Sequence, residues 1–161
     1  MVVDYGGVRE VIRLAFGRDE EASLVDALRV EGAVRSSFVA RIDGRIVGHV
    51  LFSELLIVRE SETLPALALA PLAVLPEYQR RGIGTRLTRH GLETCQKQGH
   101  RIVAVLGHPD FYRRFGFSSE FAACLDSAFS GKPAFMAMEP AEGALKGVSG
   151  KVRYPAAFGI A

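Results

Sequence analysis

Apolar residues recur along the chain with two different periods, which divide it into helices and strands. Val8, Val11, Ile12 and Ala15 stand at helical spacing, so the chain opens with an amphipathic helix. Asp19 is placed to cap a second helix. Glu20 and Glu21 follow at the favourable end of its dipole, and Leu24, Val25 and Leu28 form its apolar face. Phe38–Ile42 and Arg45–Phe52 are rich in β-formers and flank Asp43-Gly44, a hairpin turn signal. A polar tip from Arg59 to Thr63 precedes a third strand, Leu64–Leu75.

Ile83, Gly84, Leu87, Thr88, Gly91, Thr94 and Cys95 then share one face of a helix. Arg86, Arg89, Glu93, Gln96 and Lys97 occupy the other. Gly84 and Gly91 on the buried face would let the helix axis lie close to a sheet, and Gly99 is its stop. Arg101–Leu106 reads as a buried strand and Pro109–Phe115 as a short helix. Ala134–Glu139 and Val152–Tyr154 read as further strands. Strand, helix, strand from Leu64 to Leu106 predicts a crossover unit and a partly parallel sheet, hence an α/β fold of the α+β type.

With 161 residues, 48% of them hydrophobic, the chain fits a single domain over residues 1–161 with one substantial core. The longest apolar runs are broken by Ser53, Glu54, Pro65 and Pro71 and fall short of the ~20 residues that span a bilayer. Met1–Tyr5 lacks the basic start and long apolar stretch of a signal peptide. These features imply a cytoplasmic protein with no membrane partner. Cys95 and Cys124 have neither metal-ligand nor disulfide-scaffold spacing and read as reduced packing residues, and the scattered histidines add no metal motif. No metal is expected. A net charge of +2 is too small to argue for nucleic acid, and no aromatic platform accompanies Arg80, Arg81, Arg86 and Arg89.

The chemistry concentrates in Leu72-Ala73-Val74-Leu75-Pro76-Glu77-Tyr78-Gln79-Arg80-Arg81-Gly82-Ile83-Gly84-Thr85. A strand ends, a turn follows, and a glycine-bearing loop opens a helix. Free N–H groups at such a helix start, with the helix dipole, make an anion site. Gly82 and Gly84 leave room for a phosphate, and Arg80 and Arg81 add positive charge. A nucleotide P-loop needs Lys and then Ser or Thr after its last glycine, whereas Thr85-Arg86 follows here. A dinucleotide fingerprint needs a small residue where Leu87 stands. Pro71 inside the preceding strand cannot donate to a ladder, which marks an edge or a bulge.

Gln79–Gly84 resembles the acetyl-CoA signature of the GNAT superfamily, Gln/Arg-x-x-Gly-x-Gly/Ala, at every specified position. Tyr112, four residues before Gly116-Phe117, resembles the tyrosine that sits near the CoA sulfur in that superfamily. The resemblance covers roughly Phe38–Phe117. Leu72-Ala73-Val74 and His108-Pro109-Asp110-Phe111-Tyr112 look like a bacterial subgroup of its N-acetyltransferases. It implies a central mixed, mostly antiparallel sheet, splayed at a bulge and flanked by helices. It further implies acetyl-CoA as co-substrate, direct transfer to a primary amine, and pantetheine contacts from the backbone of Leu72, Ala73 and Val74. Gln79, Arg80, Arg81, Gly82, Ile83, Gly84 and Thr85 would hold the phosphates, and Tyr112 would serve the leaving sulfur. Two departures stand out: Val105 occupies a position where many members carry Asn, and helical pattern begins near Gly7, so the usual first strand is missing or very short.

The reaction needs a neutral amine. A lysine-like amine, pKa ~10.4, is neutral in about one molecule in 2,500 at pH 7, roughly 4–5 kcal/mol of barrier. Glu21, Glu54 and His108 are the candidate bases by type and location, while His49 reads as packed and His90 and His100 as surface residues. Cys95 on the buried helix face is no nucleophile. The acceptor site should draw on the first two helices, Arg59–Thr63 and the region after Phe117. A small-molecule or peptide amine fits, and a homodimer stays open. The alternative is a module of the same fold that binds acyl-CoA without turnover.

Overall fold

The structure, a computed structural model, describes residues 4–160. Helices α1 (Tyr5–Phe16) and α2 (Glu20–Val30) precede a long meander of β1 (Val34–Ile42), β2 (Arg45–Val58) and β3 (Thr63–Val74). Helix α3 (Ile83–Lys97), strand β4 (Val103–Leu106) and helix α4 (Pro109–Tyr112) follow. The remainder holds α5 (Ser119–Ala122), β5 (Leu125–Asp126), β6 (Phe135–Met138) and β7 (Gly150–Arg153). One sheet runs β5-β7-β2-β3-β4-β6, with β1 also paired to β2. The β3–β4 and β5–β7 pairs are parallel and the rest antiparallel, so the mixed, mostly antiparallel sheet and the α3 crossover follow the sequence pattern.

The strands alternate sides, and each sheet face takes its own helices. Leu51, Ala73 and Leu75 pack with Val11 and Ile12 of α1 and Leu28 of α2. Val50, Phe52 and Val105 pack with Leu87 and Cys95 of α3. Strand β2 extends past the predicted Phe52 to Val58, because its outer half pairs both with β3 and with β7 through Leu56–Arg153 and Val58–Lys151. Asp43 and Gly44 take φ of 50° and 77°, the paired positive values of a tight hairpin turn.

Two glycines admit α3 to the sheet. A methyl group on Gly91 would lie 2.3 Å from Phe52, and one on Gly48 would lie 2.9 Å from Leu87. Gly84 differs from expectation: its nearest neighbour would be Phe111 at 3.7 Å, ordinary contact, so helix–sheet approach does not require it.

The structure corrects several local expectations. Asp19 takes the cap position of α2 but makes no side-chain bond, whereas Asp4 caps α1 by accepting from the Gly7 N–H at 2.7 Å. Pro109–Phe115 divides into α4 and a 3₁₀ turn, Arg113–Phe115. Cys124 is exposed rather than packed, while Cys95 is buried. The expected absence of a first strand concerns residues 1–3, outside the described residues. Among the described residues no helix is long and apolar enough to cross a membrane, and no group of three or more His, Cys, Asp or Glu is gathered for a metal.

Candidate active site

The site begins with a fault in the β2–β3 ladder. Val50 faces Leu72 but Phe52 faces Leu69, so Ala70 and Pro71 oppose Leu51 alone. This is the bulge that Pro71 signalled. The parallel pairing of β3 with β4 ends at Leu69–Val105, and past the bulge β3 continues without that neighbour. The Leu75 N–H donates to Val47 O at 2.9 Å, which fixes the side facing β2. Alternation then turns the peptide groups of Ala73 toward β2 and those of Leu72 and Val74 toward the open edge. Gln79 Nε2 donates to Val74 O at 3.0 Å, in keeping with that direction.

Beyond β3, a 3₁₀ turn at Pro76–Tyr78 leads into the loop. Arg80 and Gly82 take φ of 64° and 82°, the left-handed turns that build a backbone nest for an anion. The Arg86 N–H finds Gly82 O at 3.0 Å, while those of Ile83, Gly84 and Thr85 lie ahead of the first helical acceptor and point out of the helix start. Gly82 therefore meets a conformational need, and Gly84 keeps the approach to these donors open.

A cleft of 790 Å³ joins this helix start to the open edge of β3. It gathers Leu72, Val74, Gln79, Arg80, Gly82, Ile83, Gly84, Thr85 and Tyr112 from the residues predicted by sequence. Ala73 is not among them: it lies opposite His49 and is packed beneath the first two helices. The Arg81 side chain is also outside, its guanidinium 5.3 Å from the Tyr78 ring centre. Tyr78, His108, Phe111 and Arg114 complete the lining. Sequence reading missed Arg114, which donates to Thr85 Oγ1 at 2.8 Å from 29 residues away. No local signal marks that contact.

Tyr112 is buried at 8% exposure. Its ring meets Phe111 and Phe117 edge-on at 4.9 and 5.7 Å. Burial pushes its hydroxyl pKa up to about 12, so it stays a proton donor throughout the neutral range. Of the candidate bases, Glu54 is engaged by Arg35 at 3.2 Å and lines neither the cleft nor the cavity beyond it. Glu21 accepts from Arg18 Nε at 2.9 Å, and that bond holds its carboxyl below the usual range. Burial pushes the Cys95 thiol up to about 11, against any nucleophilic part.

A second cavity of 420 Å³ shares Leu72, His108 and Tyr112 with the cleft. Helices α1 and α2 contribute Phe16, Glu21 and Leu24, and the segment after Phe117 contributes Phe129, Tyr154, Phe158 and Ile160. The Arg59–Thr63 tip, expected here, takes no part. Val105 also faces this cavity.

Residues 3–119 match the family model described as an acetyltransferase (GNAT) domain. The chain belongs to the GNAT family. It is 43% identical over 116 residues to the N-acetyltransferase YjhQ of Escherichia coli K12, a match spanning 71% of this chain and 64% of YjhQ. It is 35% identical over 154 residues to the N-acetyltransferase YhbS of the same strain, covering 94% of this chain and 91% of that one. The crystal structure of E. coli YhbS in complex with CoA superimposes with a TM-score of 0.90 at 34% identity, over 99% of this chain and 88% of that one. A GNAT acetyltransferase of Brucella melitensis, solved with acetyl-CoA, gives 0.77 at 34% identity, over 96% and 92%. The GNAT resemblance read from Gln79–Gly84 and Tyr112–Phe117, the fold it implied and its place among N-acetyltransferase enzymes therefore hold. In GNAT terms the bulge at Ala70-Pro71 and the loop before α3 are the parts of this chain that build the open cleft.

Proposed function

We propose that the chain transfers the acetyl group of acetyl-CoA to a primary amine. The observation that carries this reading is the position of Tyr112, at the junction of a cleft with a phosphate cradle and a separate cavity able to take an acceptor. The complexes of YhbS with CoA and of the Brucella protein with acetyl-CoA support it.

The N–H groups of Ile83, Gly84 and Thr85, with Arg80 and Arg114, would hold the pyrophosphate. The peptide groups of Leu72 and Val74 would take the amides of the pantetheine arm. When bound, the thioester supplies an activated acetyl carbon and a thiolate leaving group. The amine nitrogen attacks that carbon, the C–S bond breaks, and the thiolate leaves against the Tyr112 hydroxyl. A phenol at about 12 facing a thiol near ~8.5 makes full proton transfer uphill by on the order of 5 kcal/mol. Tyr112 therefore acts chiefly through a hydrogen bond that strengthens as charge builds on sulfur.

His108 lines both cavities, and in this reading its imidazole takes the amine proton. Glu21, held as a carboxylate by Arg18, suits an ammonium better than it suits proton abstraction. The test is CoA-thiol release from acetyl-CoA with a panel of primary amines, for the protein and its Tyr112→Phe variant. Enzyme-dependent release that drops in the variant supports transfer. Tight acetyl-CoA binding with no release for any amine would describe a sensor module instead.

A further inference from the structure

The sulfur of a bound thioester would stand at Tyr112, where the cleft meets the second cavity through Leu72, His108 and Tyr112. The cleft takes the pantetheine arm up to that point, so the acyl group projects past it into the cavity. A single methyl group needs only a small part of 420 Å³, a volume within the range of small-ligand sites, roughly 300–1,000 Å³.

The cavity is a slot with a floor of small side chains. Ala68 pairs with Ala104 across the parallel β3–β4 ladder, and both line the cavity together with Ala70, at the bulge. The branched or aromatic residues common in strands would fill this space. The roof is aromatic: Phe129, Tyr154 and Phe158 pack against the core cluster that holds Ala68 and Ala104. The Tyr154 ring centre lies 6.1 Å from that of Phe129 and 5.2 Å from that of Phe158. At the end of α2 the Glu31 carboxylate accepts from the N–H groups of Ala156 and Ala157 at 3.1 and 2.8 Å, directly before Phe158. The roof is thereby tied to a helix and held off the alanine floor.

Polar groups mark the two ends. His108 and Tyr112 stand at the end shared with the cleft. Glu21, both oxygens engaged by Arg18, stands at the end shared with a surface pocket that also holds Asp19 and Glu20. An amine enters most easily by that acidic end. The rest of the lining is glycine and alkyl or aromatic side chains, which favour an alkyl chain drawn out of water.

Resting on the transfer reading above, we infer that the floor at Ala68, Ala70 and Ala104 is an acyl-chain subsite, and that the donor range includes propionyl-CoA and butyryl-CoA. The step keeps its balance: the N–C bond forms, the C–S bond breaks, and the proton lost by the amine ends on the CoA thiol. The product is the propionyl or butyryl amide.

The test is calorimetric titration with acetyl-CoA, propionyl-CoA and butyryl-CoA, then initial rates with each donor and an amine that the protein acetylates. The dissociation constant should fall about threefold for each added CH₂, about tenfold from acetyl to butyryl, with a butyryl kcat/KM within about tenfold of the acetyl value. Ala70→Leu, its folding checked by thermal melting, should cancel the advantage of butyryl-CoA over acetyl-CoA. The inference is overturned, with acetyl transfer intact, by butyryl-CoA that binds the parent no tighter than acetyl-CoA, keeps its advantage in the folded variant, or is transferred more than about a hundredfold slower. If Ala70→Leu does not fold, the parent series decides by the same criteria. A chain-length gain that is lost in Ala70→Leu, with no acyl group passed to any amine, upholds the acyl subsite and fails the transfer reading.

Discussion

Gly107 stands directly against the ring of Tyr112: a methyl group on it would lie 2.4 Å from Cε2 and 3.0 Å from Cδ2. Phe111 and Phe117 close the ring in from other sides, so it has no easy direction in which to yield. Gly107→Ala should therefore move the hydroxyl while leaving the proposed phosphate cradle untouched. The expected outcome is a kcat lowered by about tenfold to a hundredfold, with acetyl-CoA affinity within about twofold. Steady-state kinetics beside calorimetry checks it, and an unchanged kcat would remove the positional argument for Tyr112.

The Tyr112 hydroxyl, pushed up to about 12 by burial, also sets a pH expectation. Rate should rise with pH as the acceptor amine loses its proton. It should show no tyrosine-dependent fall near pH ~10, where an exposed phenol ionises. Tyr112→Phe should lower kcat by about tenfold to a hundredfold at every pH without changing the shape of the profile. A falling limb near pH ~10 that disappears in the variant would place the hydroxyl in water rather than in the protein interior.

His49 makes stability pH-dependent. It is 1% exposed, its Nε2 meets Ser37 Oγ at 2.9 Å, and its Nδ1 has no partner among the described residues. Burial, with a smaller contribution from Arg29, lowers its pKa to about 4 from 6.5. Between those values the unfolded chain binds a proton that the folded one does not, so stability falls as pH drops through this window and levels off below it. The loss is about 3 kcal/mol. Urea unfolding at pH 7.5 and pH 4.5 should show a smaller loss in His49→Gln. Equal losses would mean that His49 gains its proton without unfolding.

The two thiols should part company. Cys124 is exposed and should react with iodoacetamide, whereas Cys95 is buried, its pKa raised to about 11, and should not react until the protein unfolds. Activity should survive the labelling of Cys124. Mass mapping that finds Cys95 modified in the native protein would contradict the packing of α3.

What was legible in the sequence was local. Gln79–Gly84 and Tyr112–Phe117 each carry their spacing within a few residues, and Pro71 announces the bulge because a missing N–H has one structural meaning in a strand. Asp43-Gly44 likewise needs no partner to fix its turn. The sequence groups Ala73 with Leu72 and Val74, because a bulge reverses which peptide groups face which neighbour and that parity is visible only once the β2 register is known. Arg114 with Thr85, and Glu31 with Ala156 and Ala157, are joined by folding across 29, 125 and 126 positions. The short α5 and β5 are held by tertiary packing of Ala122 and Leu125 rather than by any repeat in their own residues.

The most direct measurement is calorimetric titration with acetyl-CoA of the protein and its Gly84→Glu variant. The new side chain would start in ordinary contact with Phe111, Leu72 and Val74, and a Glu in the first turn of α3 suits the helix dipole, so the fold should hold. Its charge would occupy the proposed phosphate cradle. The expected dissociation constant is on the order of micromolar for the parent, weakened at least about a hundredfold in the folded variant. A well-folded parent that does not bind acetyl-CoA, or a variant that binds it equally well, would contradict it.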